Sequence, residues 1–501
     1  MPADSLTTPP GTELPDLGRP APDAGPDPRR WAALAVIAIA QLMIVLDVSV
    51  VNIALPDAGA DLGISAANIQ WVVTAYTLAF GGLLLLGGRI ADFIGRKRAF
   101  LVGLAGFAGA SALGGIAPNQ ELLFAARGLQ GAFAALLAPA ALSLLAVTFT
   151  DAKERARAFA VFGAISGGGA AIGLILGGVL TEYASWRWTL GINVPIAAVT
   201  AVFAVVLVKE SRATGDRRYD VPGALLSTLG LVSLVYGFSK AAEEGVGWTD
   251  PVTLGLLAAA AVLLVSFVLY ERRASHPLLP LRVVLDRNRG GSYLVFLLVG
   301  AGIFAIFLFL TFYFQQTLGY SPLESGFAFL PFSGGIILGA GIVSQLLPRV
   351  GPRPLILVGL ALGVLGMLWL TQIESTSAYV TEVLPAEIAI SFGMAAVFVP
   401  ASSTALVGIG EHDAGIASAV LNTSQQVGGS LGLALLSTFY ASAVTGHLAD
   451  NPGEAPGEAF VHGYHVAFLW GAVFLAVALV IAAVLISAKK DDLPAETAMA
   501  V

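Results

Sequence analysis

The sequence predicts an all-α polytopic membrane protein with fourteen transmembrane helices. Only 12% of its 501 residues are charged, whereas a soluble domain usually carries about 25%. Apolar residues make up 56% of the chain, and the mean hydropathy is +0.82. Runs of about 20 apolar residues, enough to cross a bilayer as a helix, alternate with short polar connections. The runs are continuously apolar, which favours helices over barrel strands, and this composition excludes an ordinary soluble enzyme.

The predicted spans follow one another from residue 31 to residue 488. The basic residues support their number, because all but Arg127, Arg187 and Lys240 fall in every second connection or in the two tails. Since Lys and Arg are retained on the cytoplasmic side, both termini are predicted to be cytoplasmic. The spans are residues 31–56, 69–90, 99–117, 121–148, 159–181, 186–208, 221–242, 251–270, 291–315, 326–347, 354–373, 383–410, 415–444 and 464–488.

A weak internal repeat indicates two related halves. Gly95 with Arg96 follows the second span, and Gly351 with Arg353 follows the tenth. Transporters built from repeats show such echoes. Spans 7 and 8 lie between the halves and carry few polar groups, so we interpret them as an insertion.

Asp47 lies about two-thirds of the way along the first span. An acid at this depth costs about 2.5–3.5 kcal/mol on insertion scales, so it usually faces a wet cavity or a partner. We therefore predict that Asp47 binds a proton or a substrate. The alternative is an acid near the outer interface that caps local structure.

Arg127 and Gln130 lie on one face of the fourth span, beside small residues that let another helix approach. A permanent positive charge inside a helix bundle can control the protonation of a nearby acid. A structural ion pair or a clamp on backbone carbonyls is an equally good interpretation.

A very short connection joins spans 2 and 3. Gly95 permits a tight turn, and Asp92 lies near a helix C-terminus, where an acid needs a cationic partner. We predict a latch between helices that is made in one conformation and broken in another. The alternative is that the basic residues of this connection only fix the orientation of the protein in the membrane. The residues of this predicted gating turn are Gly88, Asp92, Gly95, Arg96 and Lys97.

Glycines repeat every four residues in the fifth span, at Gly169, Gly173 and Gly177, and Gly178 adjoins them. Such a face lets two helices pack closely. We predict a packing interface that also slides or bends as a hinge.

Two further faces are candidates for a substrate cavity. An apolar, aromatic cavity with a few polar groups suits amphipathic ligands, although phenylalanines that face lipid would give the same pattern. The candidates are Phe304, Phe307 and Thr311 in span 9 and Asn422, Gln425 and Gln426 in span 13.

No pattern points to an enzyme or a metal site. The chain has no cysteine, its five histidines lack metal-ligand spacing, and no Ser/His/Asp set is recognisable. We predict no metal, no cofactor and no nucleic-acid partner.

Together these segments resemble the major facilitator superfamily, specifically its fourteen-span drug:proton antiporter branch. Two features depart from the family pattern: Ala170 and Leu174 replace prolines of the span-5 antiporter motif, and Phe93 replaces a common basic residue. The marks of the resemblance are 46–56, 88–97, 127–131, 185–188, 192–195, 316–322 with Gly326 and Pro331, and 415–432.

The resemblance implies two six-helix bundles that operate by alternating access. It implies substrate or proton binding at Asp47, proton coupling at Arg127 and cytoplasmic gating by the turn around Gly95. The implied organisation is a disordered cytoplasmic tail (1–28), an N-terminal six-helix bundle (29–208), two linker helices with cytoplasmic flanks (209–290), a C-terminal six-helix bundle (291–488) and a cytoplasmic tail (489–501).

The function that we expect is multidrug efflux from a bacterial cell: export of amphipathic small molecules in exchange for protons, by a monomer in the cell membrane. The proton gradient would supply the energy. A uniporter or uptake permease for a small metabolite is the alternative, favoured by the missing prolines. A membrane-embedded sensor is a third possibility, and the charges inside the spans argue against it.

Overall fold

The structure is a computed structural model that describes residues 28–65, 68–149, 151–212, 220–241, 246–274, 277, 279–409, 411–453 and 455–492. The predicted N-terminal tail lies outside the described residues except for residue 28. The predicted C-terminal tail is described only as far as residue 492.

The described residues form helices and connections, with no β-strand among them. Two π-helical turns occur, Tyr313–Thr317 after α11 and Tyr379–Val383 before α15. The helices are α1 Arg30–Leu62, α2 Trp71–Ile94, α3 Arg96–Gly115, α4 Gln120–Thr148, α5 Ala152–Tyr183, α6 Trp188–Gly191, α7 Asn193–Leu207, α8 Val221–Ala241, α9 Pro251–Glu271, α10 Leu281–Val284, α11 Arg287–Phe312, α12 Pro322–Ala328, α13 Leu330–Val350, α14 Pro352–Leu370, α15 Leu384–Thr404, α16 Glu411–Asp450 and α17 Pro456–Leu485.

Thirteen helical segments of the described part are long and apolar enough to cross a bilayer. The number is fourteen when α2, which bends by 58° between Trp71–Leu84 and Leu86–Ile94, counts as one span. The predicted all-α membrane fold is therefore confirmed. The sixth span differs in detail, because it is divided into α6 and α7, and Pro195 has no N–H to continue the helical hydrogen bonds there.

The turns of the internal repeat share a backbone conformation. Gly95 between α2 and α3 has φ 106° and ψ 134°, and Gly351 between α13 and α14 has φ 85° and ψ 167°. Side chains rarely adopt such positive φ values, which explains a glycine at both places. Both turns lie at the end of the bundle where α1 begins and α17 ends, which we call the terminal face; the other end is the opposite face.

The helices pack in two groups. In the first, α2 and α3 pack on α4, and α5 and α7 pack on α1. In the second, α11 packs on α16 and α17, and α14 packs on α15 and α17. The inserted helices α8 and α9 pack on each other, and α8 also touches α2 and α16.

The two groups, called halves below, meet in the middle of the bundle and near the opposite face. In the middle, the hydroxyls of Thr77 and Ser430 are 2.6 Å apart and join α2 to α16. Nearer the opposite face, Gln315 Nε2 donates to the carbonyl of Ile53 at 2.9 Å, and α5 packs on α12. The halves are therefore in contact at the opposite face.

Candidate functional site

Asp47 and Arg127 form an ion pair in the interior of the first half. Arg127 Nη1 lies 2.5 Å from Asp47 Oδ2, and both side chains are at most 1% exposed. The two residues were singled out separately in the sequence, and the structure brings them together from α1 and α4. A charge pair removed from water needs further hydrogen bonds to offset its desolvation, and the surrounding side chains supply them.

The second carboxylate oxygen of Asp47 is also fully engaged. Its Oδ1 accepts hydrogen bonds of 2.8 Å from Gln130 Nε2 and 2.8 Å from Asn193 Nδ2. Gln130 Nε2 also lies 2.6 Å from Ser111 Oγ. Every described group that contacts the carboxylate is thus a donor, and this arrangement complements the ionised form of the acid.

Arg127 is held on its other sides by α2 and by its own helix. Its Nε donates to the carbonyl of Val72 at 2.8 Å, and its Nη1 donates to Gln130 Oε1 at 2.8 Å. The guanidinium lies 4.5 Å from the ring centre of Tyr76, a cation–π contact. The contacts of Arg127 are those of the structural interpretation, an ion pair and a clamp on a backbone carbonyl. Its control of the protonation of Asp47 stays a prediction.

Ser111, Asn193 and Tyr76 belong to this network, although sequence reasoning did not select them as site residues. Asn193 stood in a segment that marked the family resemblance, and a polar amide inside an apolar span was the available signal. Ser111 and Tyr76 are ordinary residues of apolar spans, and no local pattern distinguishes them. Together with Asp47, Arg127 and Gln130 they form what we call the acid–arginine network.

The glycine face of α5 packs on α1 around Asp47. A Cβ on Gly173 would lie 2.2 Å from Ser49 Oγ, and one on Gly177 would lie 2.7 Å from the carbonyl oxygen of Val50. Gly169 meets Val45 in the same way, at 3.0 Å. The predicted packing face therefore lies against the segment of α1 that carries the acid.

Gly178 lies on the face of α5 that packs against the second half. A Cβ there would lie 2.6 Å from Leu323 Cα of α12, and Leu323 N donates to Glu182 Oε2 at 3.1 Å. A Cβ on Gly326 of α12 would likewise lie 2.6 Å from the carbonyl oxygen of Leu174. The helix α5 thus contacts α1 with one face and α12 with another.

The predicted gating turn makes its described contacts within the first half. Arg96 Nε donates to Asp92 Oδ1 at 3.0 Å, so the cationic partner of Asp92 comes from the turn itself. Lys97 Nζ donates to the carbonyl of Val205 at 2.7 Å, and Lys97 N donates to Glu210 Oε1 at 3.1 Å. In this conformation Glu210, which was not predicted, connects the turn to the chain after α7.

Gly88 lies in the part of α2 that follows the bend. A Cβ there would lie 3.4 Å from Pro139 Cβ of α4, an ordinary packing distance. This segment of α2 thus packs on α4, the helix that also carries Arg127.

The six predicted cavity residues have different surroundings in the structure. On α11, Phe304 packs against Gly429, Phe307 packs against the rings of Phe329 and Phe332, and Thr311 is buried. On α16, Asn422 is exposed, Gln425 touches Gly300 with its backbone, and Gln426 packs against Gly81 of α2.

The same two helices do line a cavity of about 290 Å³ near the opposite face, with other residues. It lies between α1, α11, α16 and α17, and its wall is a mixture of aliphatic and aromatic residues, with Gln316 and Ser437 as polar groups. The described aromatic lining residues are Phe309, Phe312, Tyr440, Phe460 and Tyr464.

The sequence and the fold both match known proteins. The family model described as "Major Facilitator Superfamily" matches residues 37–433. The chain is 50% identical to a puromycin resistance protein of Streptomyces alboniger, with 93% of each chain covered. It is 41% identical to a cephamycin export protein of Amycolatopsis lactamdurans, with 86% of this chain and 88% of that protein covered.

Solved structures share the fold at low sequence identity. A bacterial homologue of the human lysosomal transporter Spinster superposes with a TM-score of 0.64 at 15% identity, covering 94% of this chain and 99% of that one. A POT family peptide transporter gives a TM-score of 0.64 at 16% identity, covering 89% and 96%.

Proposed function

Because the chain belongs to the major facilitator superfamily, whose members are transporters rather than enzymes, we propose that it exports amphipathic small molecules in exchange for protons. The proposed location is the cytoplasmic membrane, with the basic terminal face towards the cytoplasm. Relatives named for resistance to puromycin and for export of cephamycin support export of drug-like compounds. The proton gradient is the proposed energy source, and one chain with two halves is the proposed working unit.

The buried ion pair between Asp47 and Arg127 carries the proposal. If Asp47 takes up a proton, Arg127 keeps its charge but loses its counter-ion inside the first half. Leaving one member of a buried pair without its partner costs about 3–5 kcal/mol. Protonation must therefore be accompanied by a rearrangement that gives Arg127 new partners or water, and this rearrangement is how a proton would drive a conformational change.

The packing of α5 supports the transmission of this change to the second half. A shift of α1 at Asp47 would displace α5 at Gly173 and Gly177, because α1 packs closely against α5 at both glycines. Gly178 on the same helix contacts α12 of the other half. The helix is continuous from Ala152 to Tyr183, as expected where prolines that would kink it are absent, so we propose that it moves as one rod.

The direction of the Asp47 side chain favours alternation over direct competition. The described hydrogen bonds of the carboxylate reach α4 and α7, and all of them stay within the first half. We therefore propose that drug and proton occupy different places and exclude each other through the conformation of the halves. The drug and the proton then bind to different conformations of the protein, as antiport requires.

Reconstituted vesicles test this function. With an acidic lumen and labelled puromycin outside, an antiporter accumulates the drug in the lumen and stops when an ionophore collapses the pH gradient. Asp47→Asn should lose this gradient-driven accumulation. Asp57→Asn is the matched control, since Asp57 is an exposed acid on the same helix.

Three results would contradict the proposal in different ways. Flux that equilibrates without accumulation would indicate a uniporter. An Asp47→Asn variant with wild-type accumulation would remove Asp47 from coupling while leaving export intact. Absence of flux for puromycin, cephamycin and tetracenomycin C, three compounds that relatives are named for, would argue against drug export itself.

A further inference from the structure

Glu387 is another deeply buried acid, and it lies in the second half, where the proposed mechanism places no proton. It belongs to the first turn of α15 and is fully buried, at 0% exposure. One carboxyl oxygen, Oε2, lies 3.1 Å from the hydroxyl of Tyr379. The other, Oε1, is buried with no hydrogen-bond partner among the described residues, and no described Lys, Arg or His forms an ion pair with it.

The helices packed on α15 bring small or apolar groups to this site. Gly366 of α14 lies against the backbone of Ala386 and the side chain of Ile390, and Gly335 of α13 lies against Ser391. Glu382, in the π-helical turn, is engaged by Ser377. The described charged side chains of the packed helices lie at the terminal face, at the far end of each helix: Arg287 and Arg289 of α11, Arg349 of α13 and Arg353 of α14.

The contacts of Tyr379 reveal which form of the acid fits this structure. The tyrosine hydroxyl has one hydrogen, and its oxygen lies 2.7 Å from the carbonyl oxygen of Ala328 and 3.1 Å from Glu387 Oε2. A carbonyl oxygen can only accept a hydrogen bond, so the shorter contact requires the tyrosine hydrogen. The contact with Glu387 is then favourable only when the carboxyl carries a proton and donates it to the tyrosine oxygen.

Ionisation of Glu387 would reverse this arrangement. The carboxylate would need the tyrosine hydrogen, and the carbonyl of Ala328 would lose its donor. Burial disfavours the ionised form, whereas the position in the first turn of α15 favours it through the helix dipole. The carboxyl can therefore lose its proton only in a conformation that gives the carboxylate water or another hydrogen-bond donor.

Ala328 is the last residue of α12, the helix that contacts the first half. At its other end, α12 packs against Gly178 and donates a backbone hydrogen bond to Glu182. The last carbonyls of a helix lack partners within that helix, so the bond from Tyr379 stabilises this end of α12. Its loss would loosen the element that joins the halves at the opposite face.

We propose that Glu387 is a second proton-binding site, and that its protonation holds α12 against α5 through Tyr379. The site and its ligand, a proton, are independent of the acid–arginine network, which lies wholly in the first half. The proposal implies that the halves stay closed at the opposite face while Glu387 is protonated and separate more readily after it loses the proton.

A labelling experiment on the full chain tests this, helped by the absence of native cysteine. A single cysteine in Leu323→Cys reports on the contact between α12 and α5. Its reaction rate with a membrane-impermeant maleimide is measured against pH and normalised to the exposed reference Asn451→Cys. We expect the normalised rate to rise at least threefold as Glu387 loses its proton, and Glu387→Gln, which mimics the neutral acid, to remain slow throughout.

Further variants keep the outcome decisive. Tyr379→Phe removes the donor to Ala328 and should react fast at every pH, and Glu374→Gln, an exposed acid near the same face, should behave like the parent. Infrared difference spectra should show a protonated carboxyl band that Glu387→Gln lacks. A pH-independent rate in the parent, or an unchanged pH dependence in Glu387→Gln, would overturn the proposal.

Discussion

Asp47→Asn should destabilise the protein far more than its small change in shape suggests. In the structure, Oδ2 of Asp47 accepts from Arg127, and Oδ1 accepts from Gln130 and Asn193. An asparagine has one acceptor oxygen and one NH₂ donor. Whichever way its amide turns, the NH₂ group faces a donor, and Arg127 remains charged and buried.

The magnitude follows from the burial of the pair. Removing one partner of a buried ion pair costs about 3–5 kcal/mol, and both side chains are at most 1% exposed. Arg127→Gln should cost a similar amount, because it leaves Asp47 charged among too few donors. The double variant removes both charges, so a double-mutant cycle should show a coupling of about 2–3 kcal/mol.

The free energy of unfolding of the four proteins, measured by titration of mixed micelles with a denaturing detergent, checks this. Asp57→Asn should change it little, because Asp57 is exposed on the same helix. Additive single-variant costs would show that the two charges do not stabilise each other. In that case the driving force assigned above to protonation of Asp47 would be absent.

Arg30 holds the pKa of Glu154 below its ordinary value of 4.5 through a close hydrogen-bonded ion pair that joins α1 to α5. That stabilisation is present above pH 4.5 and is lost as the pH falls through the lowered pKa, so Glu154→Gln should unfold more easily than the parent at pH 7 and equally easily well below pH 4.5. Gly177→Ala should cost about 1–3 kcal/mol of stability, because overpacking forces α1 to move, as thermal unfolding would measure. Cysteines that replace Glu182 and Leu323, whose groups meet across the halves, should block transport when cross-linked and restore it on reduction.

Matched variants separate these effects from general damage. Glu121→Gln changes an exposed acid and should leave the pH dependence of unfolding as it is in the parent. Gly163→Ala lies on the same helix as Gly177 but has open space around it, so a cost equal to that of Gly177→Ala would contradict the packing argument. Either cysteine alone should transport normally under oxidising conditions, and a block by one cysteine would invalidate the cross-link.

The sequence predicted the helices well because their signals are local. A run of about 20 apolar residues is long enough to span the bilayer wherever it occurs. Basic residues are concentrated in every second connection, and this pattern supports the number of spans. Asp47 and Arg127 were recognisable for a similar reason, since a charge inside a span is costly in any fold. Their pairing was one option of several, because which faces of α1 and α4 meet is a property of the packed bundle.

The residues of the substrate cavity stay a prediction, because the sequence signal for them is weaker. In a helix that is apolar on all sides, the face that meets another helix and the face that meets lipid have the same composition. Phe304 and Phe307 were chosen by residue type, and the structure packs both inside the second half. Glu387 was not predicted as a site residue, because it lies only a few residues inside the predicted span 383–410. An acid so near the end of a span is ordinarily solvated.

Two buried acids in different halves bear on how such a protein can couple one transport cycle to protons. Asp47 has a permanent cation beside it, so its protonation breaks an attraction and favours rearrangement of the first half. Glu387 has no described cation beside it, so its protonation removes a buried charge and favours the closed contact of α12 with α5. The two protonation events therefore have opposite effects on the contacts that surround them.

If both sites operate, a variant with only Asp47 intact should still exchange drug for protons but with fewer protons per drug molecule. The stoichiometry in Glu387→Gln, obtained from the drug gradient that just balances a known pH gradient, therefore shows whether the second site takes part in transport or only in closing the halves.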